Sequence, residues 1–327
     1  LKQISNPWSD LGNPTFSELF GSKISLIMQT AIITYFFSFL LYFFPTKPPV
    51  KVELVTNYGT IVLELSDKTP LHRDNFIKLV EDGVFDSLLF HRVIENFMIQ
   101  GGDTGSKSAD SLARLGDSDL PYTIPAEIVP DLFHKKGALG AARTNNPQRA
   151  SSSTQFYIVQ GKVQNDSVLA HNQGRINKML ARHYGINDPA NKPLIDSLEA
   201  ARAQRDSVLA KQLEHRLDAI LDDYWNFDKY EIPESHREVY KSLGGTPHLD
   251  QNYTVFGEVV SGLELVDAIA SVETDSRDRP LADVRILSAR ILKLNKSAYR
   301  RTFPLSNEYL TPSTVHMIKF NSHGEAT

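Results

Sequence analysis

The sequence predicts a mainly β domain covered by two helices, interrupted by an α-helical insertion and preceded by a transmembrane helix. Three observations carry this. Apolar residues alternate with polar ones at Val52, Leu54, Ile61, Leu63 and Leu65; leucines and isoleucines recur at helical spacing between 163 and 246; and Ile24 to Phe44 holds no charge. The 327 residues can hold one large domain or two ordinary ones. A net charge of -4, with no run of lysines and arginines, argues against nucleic acid as a partner. Cysteine is absent, which excludes thiol catalysis, disulfides and cysteine-ligated zinc while leaving the compartment open.

Residues 1–23 read as a polar arm, with Pro7, Gly12, Pro14 and Gly21 and no sustained periodicity. The chain starts at Leu1 rather than methionine, as a fragment, a processed form or an unusual start would, and Met28 offers an alternative beginning. Residues 24–44, dense in Phe, Tyr, Leu and Ile, have the length of a helix that crosses a hydrocarbon layer. A cleaved signal peptide is the alternative, but its apolar core is shorter and ends at a small-residue site, whereas a proline-rich linker, 45–50, follows here. A buried globular helix is the third reading, and the run offers no residues for a polar face. Lys23 on one side against Lys47 and Lys51 on the other leaves the orientation open.

The domain itself spans 51–294. Its first pattern crosses Asn57-Tyr58-Gly59 as a β-hairpin. Thr69-Pro70 then supplies a helix start, and Phe76, Leu79 and Val80 form an apolar stripe ending near Gly83. Phe90 to Asp103 follows as strand, loop and short strand, ending in Gly101-Gly102. Residues 104–119, rich in Ser, Asp and Gly, read as a surface loop, and 121–127 as extended chain. The small residues from Gly137 to Ala142 let backbone approach closely, and Thr154 to Val159 has strand character. Within the insertion, 163–246, the spacing from Leu194 to Leu221 predicts at least one long amphipathic helix, with shorter helices at about 172–184 and 235–242. Its 13 acidic and 11 basic residues nearly cancel, which suits a solvated helical face. The β pattern resumes at 247–258, a second covering helix spans Leu263 to Ile269, and Val284 to Leu294 closes the domain. The tail, 295–327, is polar and irregular.

Arg92 lies inside the strand-like run. A guanidinium is always charged and costly to bury without partners, so it is either an ion-paired structural residue or the polar element of a pocket. In the second case Phe97 and Met98 wall the pocket and the Gln100 amide steadies the arginine. His91 reads as a core histidine. The ten histidines are scattered and form no metal-binding pattern, and Ser151-Ser-Ser-Thr154 lacks the setting of a nucleophile and reads as a mobile loop.

Three separated blocks now line up: Phe90-His-Arg-Val with Phe97-Met-Ile-Gln-Gly-Gly-Asp103, Gly137 to Ala142 with Thr154-Gln-Phe-Tyr157, and Leu249-Asp with Val255-Phe-Gly257. In this order, with the hairpin and the two helices, they resemble the cyclophilin family of peptidyl-prolyl cis-trans isomerases over roughly 50–162 and 247–294. The charged interruption is similar to bacterial members, especially those of the Bacteroidetes type with an N-terminal export or anchor segment. The resemblance implies an eight-stranded antiparallel β-barrel capped by two helices, with the insertion between two barrel strands beside the active face. It makes Arg92 the catalytic residue, held in place by Gln100. It gives Phe97, Met98, Tyr157 and Leu249 to the proline pocket, and Ala142, Arg143, Gln155 and Tyr253 to the peptide backbone.

The implied activity acts on proline-containing polypeptide clients and needs no cofactor or metal. Tyr157 stands where phenylalanine is usual and adds a hydroxyl at the pocket wall; Tyr253 stands where histidine is common, and Arg143 replaces an asparagine. His248 takes the place of a pocket-rim tryptophan, which counts against tight cyclosporin binding and not against isomerisation. The rival reading is a membrane-tethered module or chaperone that holds proline segments without turnover, with a protein partner on the insertion. The intact set of Arg92, Phe97, Met98 and Gln100 favours turnover. The expected location is the cell envelope, with the domain outside the cytoplasm.

Overall fold

The computed structural model describes residues 48–292. The polar arm, the apolar segment 24–44 and the tail 295–327 lie outside them, as does the first half of the linker, 45–47. Among the described residues no helix is long and apolar enough to cross a membrane.

The hairpin is β1 (Lys51–Thr56) and β2 (Gly59–Leu65), whose alternating apolar side chains are all buried. With β3 (Phe90–Ile94), β4 (Met98–Gly101), β6 (Ala138–Ala141), β8 (Phe156–Val159), β9 (Val255–Ser261) and β10 (Ile286–Leu292) they form one antiparallel sheet. Its order is β10-β1-β2-β9-β6-β8-β4-β3. The sheet curls far enough for its outer strands to meet: Leu89 bridges Arg285, and Phe90 N donates to Val284 O at 2.8 Å. A small second sheet joins β5 (Thr123–Ile124) to β7 (Ser151–Ser152).

Two helices cover the sheet. Helix α1 (Pro70–Glu81) buries Phe76, Leu79 and Val80. Its first N–H groups have no intrahelical acceptor, and the Glu127 carboxylate takes those of Leu71 and His72 at 3.1 and 2.9 Å. Phe76 meets Phe85 at 4.8 Å and Phe156 edge-on at 5.5 Å. Burying each such ring contributes about 2 kcal/mol. Helix α6 (Leu263–Ala270) adds Val266 and Ile269 to the same core.

The insertion differs from its expected outline. Its first helix, α2 (Asp166–Ile186), is longer than anticipated and is capped by the Asn165 side chain. The stretch expected to hold at least one long helix holds two, α3 (Lys192–Ala203) and α4 (Ser207–Asp222). Arg205 between them takes a left-handed φ of 57°, and the Asp206 side chain accepts from Leu209 N to start α4. Asp206-Ser207 was a legible helix start that the continuous leucine spacing masked. Helix α5 (Glu234–Ser242) closes the insertion. Its two ends meet where Gly161 and Gly245 touch, and a Cβ on Gly161 would lie 2.4 Å from the Gly245 Cα. Residues 247–249 then form a short 3-10 turn, so β9 starts later than the expected β pattern.

Candidate active site

The strands that carry the site are buried on both faces, which hides a simple alternation. Ile99, Phe156 and Ile158 point into the main core, while Met98, Tyr157 and Val159 join Leu249 and Val255 in a second apolar cluster. That second face opens into a cleft of about 270 Å³. Phe97, Met98, Tyr157 and Leu249 line it, with Arg92 and Gln100, and with Ala142, Arg143 and Tyr253.

Register explains the polar pair. Arg92 on β3 is the cross-strand partner of Gln100 on β4, which in turn faces Tyr157 on β8. Arg92 Nη1 lies 3.5 Å from Gln100 Oε1, and its Nε lies 3.4 Å from Asp278 Oδ2. Both are long contacts. The Asp278 pair is half exposed, so it steadies the guanidinium with little net energy and leaves N–H groups free for the cleft.

Gln155 is the one expected residue that does not line the cleft. It is buried behind Gln100, whose Nε2 donates to Gln155 Oε1 at 3.0 Å; the Gln155 Nε2 donates to Gly116 O at 3.0 Å. Gln155 therefore stands behind Gln100 and orients its amide. The segment 104–119 is also more than a surface loop. Buried Asp103 accepts from the backbone N–H groups of Gly105, Gly116 and Ser118, folding the segment back until Leu115 and Gly116 join the cleft wall. Asp103 sits at the end of the Gln-Gly-Gly-Asp block, which was the available signal. Arg277 also lines the cleft, and nothing in its local sequence marked it.

The Tyr157 hydroxyl does not face the pocket. It donates to His134 Nε2 at 2.8 Å, and His134 Nδ1 donates to Asp250 Oδ1 at 2.8 Å. Asp250 also accepts from His134 N and from the Tyr240 hydroxyl on α5. Every one of these side chains is buried, and burial pushes the Tyr157 and Tyr240 phenols well above their ordinary pKa. His91 lines the cleft, and burial pulls it down to about 4, so it is neutral at pH 7. His248 stacks on Phe97 at 5.5 Å, at the pocket rim. The Arg143 guanidinium lies 4.4 Å over the Tyr253 ring.

Ser151 corrects another expectation. It is buried, not on a mobile loop, and lies 2.9 Å from His72 Nε2, whose Nδ1 meets Glu127 at 2.7 Å. The neighbouring space of about 10 Å³ admits no substrate, so this serine, histidine and glutamate act as a structural tie. Among the described residues no group of acids and histidines is arranged to hold a metal.

A sequence model described as cyclophilin type peptidyl-prolyl cis-trans isomerase/CLD matches residues 51–179 and 236–291. The chain belongs to that family. A protein of Streptococcus pyogenes serotype M6 that carries the name of a bifunctional phosphatase/peptidyl-prolyl cis-trans isomerase is 30% identical over 72% of this chain and 37% of its own length. One from Staphylococcus haemolyticus, named as a peptidyl-prolyl cis-trans isomerase, is 28% identical over 73% of this chain and 89% of its own. Among solved structures, a cyclophilin type isomerase of Cryptosporidium parvum aligns over 75% of this chain and 99% of its own, with 18% identity and a TM-score of 0.45. The stretch of this cyclophilin chain between the two matched segments, 180–235, falls wholly inside the helical insertion.

Proposed function

We propose that the chain accelerates rotation about X–Pro bonds in client polypeptides, with Arg92 as the catalytic group. The observation that carries this is the convergence of Arg92 and Gln100 on a cleft walled by Phe97, Met98 and Leu249. The barrier to rotation is about 20 kcal/mol and arises from amide resonance. A guanidinium N–H aimed at the prolyl nitrogen draws its lone pair out of conjugation, and does so most strongly in the twisted state. The apolar wall grips the proline ring while the carbonyl before it swings. Ala142, Arg143 and Tyr253 frame the backbone of the client. No nucleophile takes part.

Exchange NMR on a single Ala-Pro peptide tests this, with Arg92→Ala beside the wild type. The expected loss of catalysed exchange is about a hundredfold or more. Equal, slow exchange by both proteins would leave only the binding-module reading.

The family domain, 51–294, is proposed to hang from a membrane through residues 24–44, on the outer side of the cytoplasmic membrane, in a Bacteroidetes-type arrangement. The uncharged apolar stretch and the proline-rich linker support this. Recovery of the untagged protein in the soluble cytosol would sink it.

A further inference from the structure

A second cleft, of about 410 Å³, adjoins the active one, and Arg143 lines both. It runs from the loop after β6 to the insertion helices, over apolar side chains such as Ile186, Leu198 and Leu217. At its junction with the active cleft two guanidiniums are anchored on neighbouring carbonyls. Arg143 Nε donates to Asn252 O at 3.1 Å, and Arg149 Nη1 donates to Gln251 O at 2.6 Å.

Neither arginine meets a carboxylate among the described residues. The other arginines of this cleft do: Arg182 pairs with Asp218 at 2.5 Å and Arg202 with Glu214 at 3.0 Å. Holding two like charges together without a counter-ion is costly, and the Arg149 Nε is buried with no partner among the described residues. Burial, reinforced by Arg143, pulls the Arg149 pKa below its ordinary value. The backbone is strained to the same end, since Arg149 and Gln251 both take left-handed φ values, 56° and 63°. The loop is pinned besides, with Ala150 N donating to Asn146 Oδ1 at 2.8 Å and Asn187 Nδ2 on the insertion donating to Pro147 O at 3.1 Å. No carboxylate lines the active cleft itself.

We propose that Arg143 and Arg149 form a carboxylate-binding subsite, which selects client segments carrying an aspartate or glutamate close to the proline held in the active cleft. The inference rests on the isomerase reading and names the class of client. The polypeptide continues from the active cleft into the second one, where its acidic side chain supplies the missing counter-ion through charge-assisted hydrogen bonds. The insertion thereby becomes one wall of the substrate site.

The test uses the full chain and peptides with one Ala-Pro bond and one glutamate, placed two to five residues from the proline on either side, each with a glutamine twin. At one or two positions kcat/KM for the glutamate peptide should exceed that of its twin by about fivefold. The ratio should shrink at 0.5 M salt and fall to about one in Arg149→Gln, while Arg149→Lys keeps part of it. A ratio near one at every position in the wild type overturns the subsite and leaves the isomerase standing. If no peptide exchanges faster than in buffer, the isomerase reading fails instead, and chemical-shift titration of the same pairs still reads the subsite through the ratio of their Kd values. A misfolded Arg149→Gln is recognised by its own spectrum, and the Arg149→Lys and salt results then decide.

Discussion

The Tyr240 hydroxyl donates to Asp250 at 2.7 Å, and through that bond a helix of the insertion reaches the wall of the active cleft. Asp250 follows Leu249, a wall residue, and its carboxylate orders His134, which holds Tyr157 from behind. The proton inventory closes with a neutral imidazole: Nδ1 donates to the carboxylate and Nε2 accepts from the phenol. A buried carboxylate with three donors is well satisfied, and the loss of one donor is felt at once.

Tyr240→Phe removes that donor with little change in shape. We expect a destabilisation of about 1–3 kcal/mol, read as a lower urea midpoint with an unchanged m value. A midpoint within error of the wild type would show that the carboxylate does not depend on the phenol.

Excising residues 165–243 removes Tyr240 and uncovers Phe133, which packs edge-on against the Tyr240 ring at 5.4 Å. The shortened chain is expected to lose cooperative unfolding or several kcal/mol of stability, although its two ends already meet at Gly161 and Gly245. Calorimetry decides: a sharp transition at the temperature of the parent protein would mean that the insertion is a separable appendage.

This relay was not legible in the sequence, whereas much of the rest was. The hairpin, α1, the strands around Arg92 and α6 each follow from local periodicity and turn chemistry, which act over a few residues. The cleft residues Arg92, Phe97, Met98 and Gln100 stand on two adjacent strands and the turn between them, close in the chain, so their convergence followed from the motif. His134, Asp250 and Tyr240 come from three separate segments, and only the folded chain brings them together. The Gln155 contact with Gln100 was not legible, because a strand position does not reveal which neighbouring amide its side chain meets. The pair of Arg143 and Arg149 was missed in the same way: a turn-rich loop gives no sign that two of its arginines pair with no carboxylate among the described residues.

Two histidines, one buried and one partly buried, predict how stability changes with pH. His91 and His248 are both lowered from 6.5 to about 4 in the folded chain, chiefly by burial. Below about pH 6.5 the unfolded chain therefore binds more protons than the folded one. Stability from these groups is fully present above 6.5 and is lost as the pH falls toward 4. Urea midpoints should drop over that window by an amount worth a few kcal/mol in all, with the smaller share from the less buried His248. His248→Phe and His91→Asn should each flatten the slope; parallel pH curves for both variants and the wild type would contradict the assignment.

The last prediction concerns how Gln100 and Gln155 act. Gln100 touches Arg92, and the Gln155 side chain bonds Gln100 and the carbonyls of Gly116 and Ser118, so its effect on the Arg92 guanidinium passes through Gln100. Gln100→Ala frees the guanidinium to sample unproductive rotamers, and kcat/KM should fall about tenfold. Gln155→Ala lets the Gln100 amide turn, for a smaller fall of about threefold. In the double variant the loss should match that of Gln100→Ala alone, because the second residue then has nothing left to orient. Independent action would instead multiply the two losses to about thirtyfold, and a double-mutant cycle measured by exchange NMR on one Ala-Pro peptide separates these outcomes. The lever in either case is Arg92: in an Arg92→Ala background neither glutamine should matter to the remaining rate.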